Sequence, residues 1–171
     1  IMKKNLLFLF MAVFFAACQD SSKLIISDLQ CEYLNAPLAI DNTTPHFGWK
    51  MTCGQKGTSS SAYQLLVATE LDKLNEEEAD LWNSGKVSSD TSIGIAYEGK
   101  ALTSRTQAYW KVRVWNQADV PSEWSKPSSF GIGMLSENDW SAEARFIGVE
   151  QADEKSQSAP LLRKSFTYEP S

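Results

Sequence analysis

Along much of the chain, large apolar residues recur at every second position and polar residues fill the gaps. The clearest run is Trp110, Val112 and Val114, alternating with Lys111, Arg113 and Trp115. A period of two built from β-branched and aromatic residues predicts a half-buried strand. The same alternation marks Leu24 to Leu34, with Ile26, Leu29, Cys31 and Tyr33 mostly inward. Phe47, Trp49 and Met51 mark a second strand, after Asn35-Ala-Pro37 and Pro45 interrupt the first. Tyr63, Leu65 and Val67 mark a third, with Gln64, Leu66 and Ala68 on its other face. Short pieces follow around Trp82–Val87 and Ile93–Tyr97, and a final strand ends at Phe130. About seven short strands separated by turn-rich connections predict an all-β antiparallel sandwich over residues 24–134. Trp49 and Trp110 are its expected large core residues.

The connection from Leu71 to Asp80 is acidic, with Glu76-Glu77-Glu78 and Asp80. It predicts a loop with one helical turn. Its consecutive carboxylates read as a solvated face, because they do not converge as a cation site requires. After Gly133 the pattern changes. Asp139-Trp140 and Arg145-Phe146-Ile147 read as one more extended segment, and residues 150–158 as a polar loop. Leu161 to Tyr168 reads as a strand with nothing after it to pair with. A lone strand cannot satisfy its backbone. Residues 135–171 are therefore expected to be a linker and the first strand of a truncated second β-sandwich.

The N-terminus bears on the compartment. Met2-Lys3-Lys4 is a basic opening, Leu6 to Phe15 an apolar run too short for a membrane span, and Ala16-Ala17-Cys18 a small-residue ending. Residues 1–17 resemble a bacterial lipoprotein signal peptide, which makes Cys18 the lipidation site and residues 18–23 a polar tether. An ordinary secretory peptide with an incidental cysteine is the other reading. The first reading implies an exported protein, lipid-anchored in a Gram-negative envelope, in the periplasm or outer membrane. A formal net charge of -5 argues against a nucleic-acid partner. With three cysteines in an exported chain, Cys31 and Cys53 are open to a disulfide. Two thiols packed as small apolar groups is the alternative.

Several segments, taken in order, resemble a known family. They include Leu29-Gln-Cys31-Glu-Tyr33, Asn35-Ala-Pro37-Leu38-Ala-Ile40-Asp41, Pro45-His-Phe47-Gly-Trp49 and Ala62-Tyr-Gln-Leu-Leu-Val-Ala68. Leu81-Trp-Asn-Ser-Gly-Lys-Val87, Tyr109-Trp-Lys-Val-Arg-Val-Trp115 and Ser122-Glu-Trp-Ser125 continue the series. Asp139-Trp140 and Leu162-Arg-Lys-Ser-Phe166 fit the start of a next sandwich. The series resembles the N-terminal region of Bacteroides-type α-L-rhamnosidases of glycoside hydrolase family 78. The last hairpin also resembles the closing strands of a fibronectin type III or immunoglobulin-like sandwich, with Trp110 where that pattern usually carries a Tyr. The resemblance implies inverting hydrolysis of terminal α-L-rhamnosides by carboxylates in a helical barrel well downstream. It implies no catalytic residue in this chain. The implied role is an accessory spacer or docking domain whose partners are the downstream catalytic domain and, through Cys18, the membrane. A free-standing lipoprotein module that binds glycan or an envelope protein is the competing reading.

Candidate chemistry in the chain itself is sparse. The lone histidine, His46, reads as a surface or capping residue rather than a base. No spacing suggests a metal site, a cofactor or a nucleophile with its base. One surface group stands out. Arg113 and Trp115 share a strand face, with Trp124 expected on the next strand. The group resembles the Trp–Arg ladder of cytokine-receptor sandwiches. It is either a ladder that stiffens two strands or a stacking platform for a rhamnose-containing glycan.

Overall fold

The computed structural model describes residues 23–145, 163–165 and 167. The signal segment, Cys18 and residues 19–22 of the tether lie outside the described residues. Residues 163–165 and 167 are exposed and take no regular secondary structure.

Eight strands form among the described residues: β1 (Leu24–Cys31), β2 (His46–Cys53), β3 (Ser60–Ala68), β4 (Trp82–Asn83), β5 (Val87–Ser88), β6 (Ile93–Ala96), β7 (Gln107–Asn116) and β8 (Ser128–Gly131). They make two antiparallel sheets. One has the order β1-β2-β6; the other has β4-β3-β7-β8, with β5 also on β3. The apolar alternation of β7 faces inward, with Trp110, Val112 and Val114 fully buried. Phe47 lies at the centre, its ring centroid 4.5 Å from Trp110 and 5.7 Å from Phe130. Trp49 meets Tyr63 edge-on at 5.6 Å. Among the described residues, every buried member of this core lies between Leu24 and Ile132.

β3 is buried on both faces. Leu66 and Ala68, on its outer face, are as buried as Leu65 and Val67. The cover is the acidic connection. Leu74 packs on Leu66 and Ala68 in a second cluster, flanked by Ala79, Tyr109 and Trp124. The expected helical turn is there, closed by the Ala79 N–H on the Asn75 carbonyl at 3.1 Å. The connection is therefore more than a solvated face. The Asp80 carboxylate accepts from the Thr69 amide at 2.8 Å and from its hydroxyl at 2.6 Å.

The ladder between β1 and β2 corrects the disulfide. Leu24 pairs with Cys53 and Cys31 with Phe47. In an antiparallel pair the end of one strand meets the start of the next, so the two cysteines sit at opposite ends. The six residue steps from Phe47 to Cys53 span roughly 20 Å, whereas a disulfide needs Cα atoms within about 7 Å. Both remain thiols. Burial, with Glu32 adding to it, pushes the Cys31 thiol up to about 12.

The same ladder sets the domain's polarity. The chain enters at Leu24, beside Cys53. It exits beyond Gly131, whose amide bonds the Pro37 carbonyl at the Cys31 end. Entry and exit lie at opposite ends. The exit is also fastened. The Arg105 amide reaches the carbonyls of Ile132 and Gly133. The Ser104 hydroxyl bonds the Asp139 carboxylate, and the Arg105 guanidinium bonds the Asp139 carbonyl at 2.6 Å. Where an extended segment was expected, Glu137–Asp139 form a 3-10 turn. Ser136 caps it, and Asp139 reaches back to the Ser136 amide. These local side-chain bonds compete with extended backbone.

Trp110 occupies the corner position where a Tyr was the expected pattern. Its indole N–H has no partner among the described residues, and neither has that of Trp49. A tyrosine hydroxyl bonds backbone elsewhere: Tyr97 donates to the Lys100 carbonyl at 2.7 Å. Burial pushes this phenol up to about 12, with Asp80 adding to it.

Candidate functional site

β7 carries Lys111, Arg113 and Trp115 on its outer face, because alternate residues of a strand share a side. The segment after Pro121 lies alongside. Its two serines fix it there by replacing the ladder a regular strand would make. The amides of Ser122 and Ser125 donate to the carbonyls of Val114 and Val112 at 2.7 and 2.8 Å. Their hydroxyls accept from the amides of the same two residues, each at 3.1 Å. Trp124, between them, is thereby aimed back over β7.

The result is one row of alternating cations and indoles. Lys111 lies 4.9 Å from the Trp124 ring centroid, and Arg113 lies 4.6 Å from the same centroid. Arg113 also lies 4.9 Å from Trp115, which Lys86 approaches at 4.8 Å. Arg113 is the pivot. Gln64 stands directly opposite it on β3 and accepts from Nε and Nη2 at 3.1 and 2.8 Å. The Glu76 carboxylate completes its bonding. Asp119 pairs with Lys86 at the end of the row. Burial, with the charge of Arg113, holds the Lys111 ammonium below its ordinary range, partly opposed by Glu76.

Arg113, Trp115 and Trp124 thus come together as the sequence predicts. Their chemistry is inward. Trp115 is only 8% exposed, and both indoles already carry cations. The row is packed as a ladder that ties β7 to the segment after Pro121. Each exposed cation–π contact is worth about 0.5–1 kcal/mol. Lys86, Lys111, Gln64 and Glu76 escaped the sequence reading. Lys111 was legible by parity with Arg113. Lys86 and Glu76 arrive from connections whose paths no periodicity encodes.

The acidic residues do not face one another across a cleft. Glu76 is committed to Arg113, Glu78 to the Asn75 amide group and Asp80 to Thr69. His46 donates its amide to Glu32 at 2.7 Å, and its ring Nδ1 lies 3.1 Å from the same oxygen. Burial raises the Glu32 carboxyl, but the bonds from His46 and Asn42 outweigh it and hold the group below its ordinary value.

The two-sheet architecture with this ladder defines an immunoglobulin-like β-sandwich. Residues 26–136 match the family model described as the Rha78A-like N-terminal immunoglobulin domain, and the chain belongs to that family. An α-L-rhamnosidase of Formosa agariphila is 46% identical over 143 residues, covering 81% of this chain and 15% of that protein. One from Streptomyces avermitilis is 39% identical over 121 residues, covering 71% and 12%. The crystal structure of the S. avermitilis α-L-rhamnosidase complexed with L-rhamnose superposes with a TM-score of 0.66 at 38% identity, over 69% of this chain and 11% of that one. The enzyme from Dictyoglomus thermophilum gives 0.65 at 36%, over 70% and 14%. The chain spans 15% or less of each of these relatives.

Proposed function

We propose that this domain is the N-terminal spacer and docking module of an envelope-anchored α-L-rhamnosidase that acts on terminal α-L-rhamnosides. The observation that carries the reading is the polarity of the sandwich. Entry at Leu24 and exit beyond Gly131 at opposite ends suit a module that holds one part of a polypeptide away from another. The relatives supply the class of the enzyme, and fold alone would not. The anchor is the lipid on Cys18, since multiple acyl chains hold a protein stably where one does not.

Three measurements test it. Replacing Cys18 with Ala should move the protein from the membrane fraction to the soluble one, with loss of the acyl mass on the N-terminal peptide. The coding sequence beyond Ser171 should continue into a hydrolase. The protein from Gln19 to Ser171 should release no aryl alcohol from an aryl α-L-rhamnoside above buffer. A frame that closes without a catalytic domain, together with glycan retention by the short protein, decides for a free-standing binding module instead.

A further inference from the structure

Six of the nine exposed large apolar side chains among the described residues stand on two segments: Tyr33, Leu34 and Leu38 on one, Met134, Leu135 and Trp140 on the other. These segments are far apart in sequence and adjacent in space. The Gly131 amide bonds the Pro37 carbonyl at 2.9 Å, the Ile40 amide bonds the Gly131 carbonyl at 2.8 Å, and the Gly133 amide returns to Ile40 at 2.8 Å. Backbone approach is so close that a Cβ on Gly131 would collide with the Leu38 carbonyl. A shallow depression bounded by Leu34, Ile40 and Gly133 joins the two.

The first segment is held in an unusual form. Glu32, Tyr33 and Ala36 all have positive φ, which non-glycine residues seldom adopt. The Cys31–Leu34 turn that results, closed by two 3.0 Å bonds, turns Tyr33 and Leu34 outward. Leu38 is 85% exposed. Apolar side chains exposed on two adjoining segments at one end of a domain mark an interaction surface. The second segment is the exit itself, fastened by Ser104, Arg105 and Asp139. The apolar surface therefore lies at the end of the sandwich from which the chain continues, and the exit is held there as far as Asp139.

We infer that this exit surface is the seat of the domain that follows in the same polypeptide, an intramolecular interface whose core is Leu34, Leu38, Met134 and Trp140. The inference rests on the proposed reading of the chain as the leading part of a longer enzyme. Relatives of which it spans 15% or less supply the covalently attached partner. A tethered partner needs only a modest apolar seat, because attachment raises its effective concentration.

The test is oxidative footprinting, to which Met134 and Trp140 are well suited. The protein from Gln19 to Ser171 is compared with a chimera in which residues up to Arg145 replace the matching N-terminal part of the F. agariphila enzyme. In the chimera, labelling of Leu34, Leu38, Met134 and Trp140 should fall several-fold, while Ile25 and Ile93 stay as reactive as before. Leu38→Asp with Trp140→Ser should restore labelling of Leu34 and Met134 without altering that of Ile25. Unchanged labelling at the four residues in the chimera overturns the inference. Protection already present in the short protein also overturns it, since a second copy (if it depends on concentration) or residues 146–171 would then be the cover. Activity of the chimera on an aryl α-L-rhamnoside reports separately on the parent reading, so the two can fail independently.

Discussion

Gln64 and Arg113 face each other across the β3–β7 ladder, and one amide oxygen takes two bonds from the guanidinium. Gln64 is 5% exposed, so this oxygen has little access to water in exchange. Arg113→Met keeps the stem but strands the oxygen and empties the centre of the cation row. The expected cost is about 2–3 kcal/mol, from a charged hydrogen bond and two cation–π contacts. Urea unfolding measures it. A double-mutant cycle with Gln64→Leu should return a coupling of about 1 kcal/mol or more.

The two orphaned indole N–H groups give a contrast. Trp49→Ala should cost about 3–5 kcal/mol, as large-to-small core changes do. Trp49→Phe removes an unpaired buried donor along with one ring, so the two effects oppose each other. Its cost should stay below about 1.5 kcal/mol. Equal losses for the two variants would mean that the indole N–H has a partner.

Thiol counting checks the cysteines. The protein from Gln19 onward, purified without reductant, should titrate as two thiols once unfolded. In the native state Cys31 should resist alkylation, because it is 1% exposed and its thiol is pushed up to about 12. A peptide linking residues 31 and 53 in a non-reduced digest would overturn the register.

Glu32 and Asp80 set the acid limit. Both carboxyls titrate below their ordinary values, 4.5 and 3.8, in the folded state. For each, burial works the other way and is outweighed by hydrogen bonds, from His46 and Asn42 on Glu32 and from Thr69 on Asp80. A depressed carboxyl contributes stability that is complete above its unfolded value and is lost as pH falls through its folded value. Unfolding midpoints should therefore hold from neutral pH to about 5 and decline below it. Glu32→Gln should lower the plateau and flatten the decline.

The strands were legible in large part where one face alone is covered, but Tyr33, expected inward, lies beyond the end of β1 and is 67% exposed. Trp110, Val112 and Val114 alternate because Lys111 and Arg113 face outward, and the buried set was read correctly. The burial of Leu66 and Ala68 on the other face of β3 was not legible, because their cover comes from residues 74 and 79 in a connection without periodicity. The cysteines share the inward parity that the sequence shows, yet parity gives the face and not the position along it. Register along β1 and β2 separates them. In the site, the grouping of Arg113, Trp115 and Trp124 was readable from strand parity. Its closure by Lys86, Lys111, Gln64 and Glu76 depended on neighbours that only the tertiary fold supplies.

Entry and exit at opposite ends also determine how the domain meets a mechanical load. Tension between a membrane attachment and a distal body would act at Leu24 and beyond Gly131, lengthwise along the strands. Antiparallel ladder bonds lie across that direction. β1 and β2 would then slide in shear, with Leu24 to Ser27 resisting together against Lys50 to Cys53. A domain with both termini at one end would instead be peeled open one bond at a time.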